Sequence, residues 1–289
     1  VSLLPLSSSH DVASFRWASD SVQIAFVGDL VTNNDDALWT VNATAASPST
    51  VEIVSTLELS GRDVGRIIGF DSSDRLYFVA DYELADNQSR LYRCAIDGTG
   101  RVQVPGTGLS NGAGEASVGG FAISPNGLSI AFASDSPTAN LSQVYTMLLS
   151  GSTPVLVSSL TTTAPATNER GPNFFEPMRW SPDGSALTLA ADWPIGEDVN
   201  NDFGVFVLPS SAPAGGVGLS RPSVGSGDAF GPQFSPDSSQ IIFRGDMLES
   251  NHSDLYRISD LGSSNQDPST LLLEQSVLGG TVKGYTITP

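Results

Sequence analysis

The chain has 289 residues, 39% of them hydrophobic, with 29 glycines and 18 prolines, which is enough apolar material for a core broken by many turns. Thirteen Lys and Arg stand against 31 Asp and Glu, a formal net charge of −18, which excludes the basic surface that nucleic acids and anionic membranes select. One cysteine excludes an internal disulfide, and no apolar run reaches the ~18 residues of a membrane span.

In chain order, residues 1–8 read as an outermost strand with nothing before it. A short strand then ends at Trp17, the turn Ala18-Ser19-Asp20 follows, and a second apolar strand is closed by Asp29. A polar loop leads to a third strand carrying Trp39, and a weaker apolar run covers residues 51–54. This order returns along the whole chain. Phe70, Ile123, Trp180, Phe234 and Ile287 stand where Trp17 stands, a period of about 54 residues. Asp81, Asp135, Asp192 and Asp246 close the second strands, and Tyr92, Tyr145, Phe206 and Tyr256 mark the third. Weaker runs at 102–104, 155–157, 217–219 and 271–273 supply a fourth.

The clearest copy is MRWSPDGSALTLAAD, residues 178–192. Met178 and Trp180 alternate with Arg179 as a strand with period 2. Ser181-Pro182-Asp183-Gly184 is turn chemistry: proline presets φ, aspartate binds nearby amides and glycine accepts φ > 0. Four short antiparallel strands per repeat, without a helix, predict an all-β fold, a β-propeller of four-stranded blades. A blade cannot bury its two apolar faces alone; stacking blades around an axis buries both.

The expected architecture is a single propeller domain over 1–289. Its five complete blades lie near residues 12–60, 61–110, 115–165, 172–222 and 228–276. A partial sixth is shared by the termini, 1–8 and 278–289. The middle strands of that sixth blade would be missing, so the chain reads as cropped from a longer polypeptide. A monomer is expected.

Three candidate sites stand out. In the long loop after Asp192, Asp198, Asn200 and Asp202 have the D-x-N-x-D spacing that converges oxygens on calcium. The glycine there sits one place late for an EF-hand, and Asp/Asn-rich loops also form ordinary turns. The five equivalent carboxylates Asp29, Asp81, Asp135, Asp192 and Asp246 should share one face. They either ring a binding face for a cationic partner or cap the amides of their own loops. The polar loops beside them differ between blades, and loop variation on a rigid scaffold is where specificity sits. Gly108-Leu109-Ser110-Asn111-Gly112 satisfies the G-x-S-x-G string, but no helix follows it to form a nucleophile elbow. The two histidines, His10 and His252, are isolated in polar loops. Cys94 shares a strand face with Tyr92 and Ile96 and reads as a small core residue.

The repeated tetrads Ser181-Pro182-Asp183-Gly184, Ser235-Pro236-Asp237 and Ser124-Pro125-Asn126-Gly127, with Leu91-Tyr92 and Leu255-Tyr256, resemble the WD40-like (PD40) repeats of TolB-type bacterial β-propellers. The likeness spans about residues 12–289. Two copies depart from it: Ala18-Ser19-Asp20 lacks the proline, and Asp71-Ser72-Ser73-Asp74 is one residue short. The resemblance implies a periplasmic, envelope or secreted protein that binds a protein or peptide, and it carries no catalytic set. The expected function is therefore a non-catalytic scaffold. The alternative is a polysaccharide lyase or hydrolase, or a calcium-dependent module, using the channel face. Arg16 and Arg179, at equivalent first-strand positions, would serve that alternative if they met carboxylates.

Overall fold

The computed structural model describes residues 11–31, 36–45, 50–54, 64–80, 90–105, 118–134, 143–158, 178–191, 203–211, 217–218, 228–246, 253–261 and 270–273. Among them there is no helix, and every sheet has four strands paired antiparallel with sequence neighbours. The all-β, four-stranded expectation holds. Residues 1–8 and 278–289, the expected partial blade, lie outside the described residues.

The first sheet is β1 (Val12–Trp17), β2 (Gln23–Gly28), β3 (Ala37–Asn42) and β4 (Thr50–Val54). The second is β5 (Val64–Phe70), β6 (Leu76–Ala80), β7 (Arg90–Cys94) and β8 (Val102–Gln103). The third is β9 (Val118–Ile123), β10 (Ser129–Ser134), β11 (Gln143–Leu148) and β12 (Val155–Leu156). The fourth is β13 (Arg179–Trp180), β14 (Ala186–Ala191), β15 (Gly204–Pro209) and β16 (Val217–Gly218). The fifth is β17 (Ala229–Phe234), β18 (Ile241–Gly245), β19 (Asp254–Ile258) and β20 (Thr270–Leu273). The chain divides into two compact units, one holding the first two sheets and the other the last three, with residues 126–128 and 149–151 joining the first unit.

Within each unit, sheets pack face against face. In the first, Ala25, Val27 and Leu38 meet Val64, Ile67, Leu76, Phe78 and Tyr92 of the next sheet, with Cys94 in the same cluster. In the second, strand β15 is covered on both faces. Its Phe206 and Leu208 pack with Val144, Val157 and Met178, while Val205 and Val207 pack with Ala229, Phe243 and Tyr256. A strand buried on both sides reads as a continuous apolar run, because alternate side chains fill two different cores.

The hairpin turns repeat one geometry. The residue four places after each anchor has positive φ: Ser21 at 55°, Asp74 at 56°, Gly127 at 66°, Gly184 at 73° and Ser238 at 62°. Two places after the turn begins, an acidic or amide side chain accepts the N–H two residues on. Asp20 accepts from Val22 at 2.8 Å, Asn126 from Leu128 at 3.0 Å, Asp183 from Ser185 at 2.9 Å and Asp237 from Ser239 at 3.1 Å. The shortened second turn is solved differently. Phe70 pairs with Leu76, and Asp71 takes the N–H groups of Ser73 and Arg75 while its other oxygen meets the Arg75 guanidinium at 2.7 Å.

Candidate functional site

Each second strand ends at the edge where the first and third strands begin. Val12 pairs with Gly28 and Ala229 with Gly245 as the last rungs there. One step further out, a carboxylate takes the place of the next carbonyl. The Asp11 N–H donates to Asp29 Oδ1 at 2.6 Å, and the Asp228 N–H donates to Asp246 Oδ1. Both aspartates are buried. The same edge ties neighbouring sheets of a unit together. Val64, opening β5, donates its N–H to the Asp36 carbonyl at 2.9 Å, and Ala229, opening β17, donates to the Phe203 carbonyl at 2.7 Å.

Sequence reasoning found Asp29 and Asp246 but missed what they meet. Asp11, Asp29 and Asp36 bring carboxylate oxygens within 4.8 Å of one another, with Asp29 buried, Asp36 half-buried and Asp11 exposed. Oxygen donors of this kind suit a hard divalent cation. In the other unit Asp228 accepts the Phe203 N–H at 2.9 Å. Burial pushes its carboxyl above the usual range, the Phe203 N–H pulls it down, and the Asp246 charge pushes it up again. A signal was present: an aspartate stands 18 residues before Asp29 and again before Asp246, and Asp63 stands likewise before Asp81.

Asp81, Asp135 and Asp192 lie outside the described residues, as do the calcium candidates Asp198, Asn200 and Asp202, the 108–112 string, His10 and His252. Cys94 is buried, and burial lifts its thiol to about 11, which removes it as a nucleophile at neutral pH. Arg16 is exposed and donates Nη1–H to the Phe15 carbonyl at 2.8 Å. Arg179 is exposed as well, and among the described residues neither arginine pairs with a carboxylate. With the described carboxylates, these two side chains do not form the convergence that catalysis needs.

At the opposite, turn-bearing edge, carboxylates serve the backbone. The Ser181 hydroxyl donates to Asp183 at 2.5 Å, and the Ser185 hydroxyl does so at 2.8 Å. Ser235 and Ser239 repeat this around Asp237. The hydroxyl donors, with the Ser185 and Ser239 amides, hold both carboxyls down at about 2.

No protein-family model matches the chain, and no curated protein matches it. Solved structures do. TolB from Agrobacterium tumefaciens aligns with 88% of this chain and 79% of its own at 11% identity, with a TM-score of 0.49. An oligogalacturonate lyase in complex with manganese aligns with 86% of this chain at 15% identity and a TM-score of 0.55; the match covers 65% of the lyase. Prolyl oligopeptidase B from Galerina marginata aligns with 88% of this chain at 11% identity and a TM-score of 0.56, and the match covers 34% of the peptidase. At such identities the likeness establishes fold alone. Together with the four-stranded antiparallel sheets, it puts the chain in the β-propeller class.

Proposed function

We propose that the chain is a non-catalytic, TolB-like propeller scaffold that binds a protein or peptide partner in the bacterial envelope or extracellular space. The observation that carries this reading is the construction of the acidic edge. Buried carboxylates there accept backbone N–H groups from the first strands, so the loops leaving that edge start from fixed anchors. The PD40-like repeats support the choice of scaffold and of compartment. No helix is long and apolar enough to cross a membrane among the described residues.

The test is selection of peptides from a displayed library, followed by affinity measurement. Replacing the acidic loops at residues 83–88 and 249–252 with Gly-Ser loops should abolish binding of the selected peptides, while substitutions at the exposed turns should leave it intact. Equal affinity after both loop replacements would overturn the reading. So would release of unsaturated uronates from a polysaccharide substrate, which belongs to the lyase alternative.

A calcium-dependent module is a second reading, favoured by the convergence of Asp11, Asp29 and Asp36. The 198–202 loop is its other candidate.

A further inference from the structure

Within each unit, the second and third strands of a sheet turn one face toward the first strand that comes next in the chain. In the third sheet that face carries Ala131, Ala133 and Val144, all fully buried in one cluster with Met178, two residues before the anchor Trp180. The last sheet puts Ile242, Arg244 and Leu255 in those places: Arg244 pairs with Leu255 as Ala133 pairs with Val144. Its other face, with Phe243 and Tyr256, is buried against Val205 of the fourth sheet. The Ile242 face is only half-buried, β20 is the last described strand, and the Arg244 guanidinium lies 5.0 Å from the Phe230 ring centroid. An apolar sheet face left half-covered costs free energy until something packs on it.

Residues 274–289 lie outside the described residues, and their spelling fits that place. Their length is enough for a connector and a first strand as long as β5 or β17. KGYTITP, 283–289, repeats GGFAISP, 119–125, and FGPQFSP, 230–236. Gly120 and Gly231 both have φ of 58°, and both sit at a break in strand register, the bulge that sets the course of a first strand. Gly284 stands at the same position, three before Ile287, and Tyr285 stands where Met178 does. We propose that residues 281–287 form a further first strand that packs on the outward face of the last sheet, with Tyr285 seated on Ile242, Arg244 and Leu255. An arginine in the place of Ala133 suits an aromatic occupant, because a guanidinium stacks on a ring face. The contact lies within one unit and stands whether or not the acidic edge binds a partner.

Lys283 is the single lysine of the chain, so a lysine-specific protease tests the docking at one bond, Lys283–Gly284. On the full chain, cleavage should be slow. Tyr285→Ser or Leu255→Ser should speed it by about tenfold or more, since proteolysis follows the population of the open form. The two changes break one contact, so Tyr285→Ser/Leu255→Ser should be cut no faster than the quicker single variant. Leu128→Ser, at an exposed turn leucine, should leave the rate unchanged; an equal gain there would overturn the proposal. Cleavage of the unaltered chain as fast as in urea would show the segment undocked and the face open to another partner, and would overturn it too. So would a rate that Tyr285→Ser does not change, or multiplied effects in the double variant. Protection lost on about hundredfold dilution would assign the face to the segment of a second copy, again against the proposal. Tyr285→Ser leaves every described residue in place, so its result stands even if Leu255→Ser misfolds.

Discussion

Asp29 sits 4% exposed with its Oδ1 on the Asp11 amide, and the cost of removing it depends on what is left behind. Asp29→Ala strands a backbone donor beside a void and should destabilise the chain by about 1–3 kcal/mol in chemical denaturation. Asp29→Asn keeps an acceptor oxygen in place and should cost less. Equal effects would mean that the charge, not the hydrogen bond, matters. The turn carboxylates predict a pH dependence. Asp183 and Asp237 are held at about 2 in the folded chain by hydroxyl and amide donors, below the ~3.9 of an unfolded aspartate. A depressed folded value contributes stability that is fully present above the unfolded value and is lost as pH falls from about 4 toward 2. The variant Asp183→Asn/Asp237→Asn should therefore show a flatter loss of unfolding midpoint across that window. Asn126, which already accepts the Leu128 N–H at the equivalent place, shows that the turn tolerates the amide. An unchanged slope would place acid sensitivity elsewhere, with Asp71 and its Arg75 partner the next group to test.

At the scale of the element, the same turn position is used five times but is not equally constrained. Gly184 has φ of 73° and open space around a would-be Cβ, whereas a Cβ on Gly127, at φ 66°, would lie 2.4 Å from the Ser72 nitrogen. Gly184→Ala should cost about 1 kcal/mol, the ordinary penalty of the left-handed region. Gly127→Ala must also push the second turn away and should cost visibly more by urea unfolding; equal costs would show that the two turns part freely. Such pairings explain what was legible in the sequence. Trp17, Trp180 and their equivalents announced the strands because turn chemistry and alternation are local, and both act within a few residues. Even the shortened second turn showed in its spelling, and its Phe70–Leu76 pairing follows. The acidic edge was half legible. Asp29 and Asp246 repeat with the blades, but Asp11, Asp36 and Asp228 acquire meaning only when antiparallel pairing brings the start of one strand to the end of another.

For the molecule as a whole, the charge of −18 makes any divalent cation an ambiguous stabiliser, because simple screening relieves self-repulsion in every acidic protein. The question is whether calcium does more than screen. Thermal unfolding in calcium should be compared with magnesium and with sodium chloride at matched ionic strength. A site-bound ion at a hundredfold excess over its Kd adds about 2.7 kcal/mol, which screening at constant ionic strength does not reproduce. If the 198–202 loop is the site, the calcium-specific gain should vanish in Asp198→Ala/Asp202→Ala and survive Asp36→Asn. If the Asp11, Asp29 and Asp36 oxygens, within 4.8 Å of one another, are the site, the pattern reverses. Asp36 is the useful probe of that trio because its carbonyl, which accepts the Val64 N–H, remains when its carboxylate becomes an amide. A gain equal in calcium, magnesium and sodium would reduce both candidates to ordinary loop chemistry and leave the propeller a metal-independent scaffold.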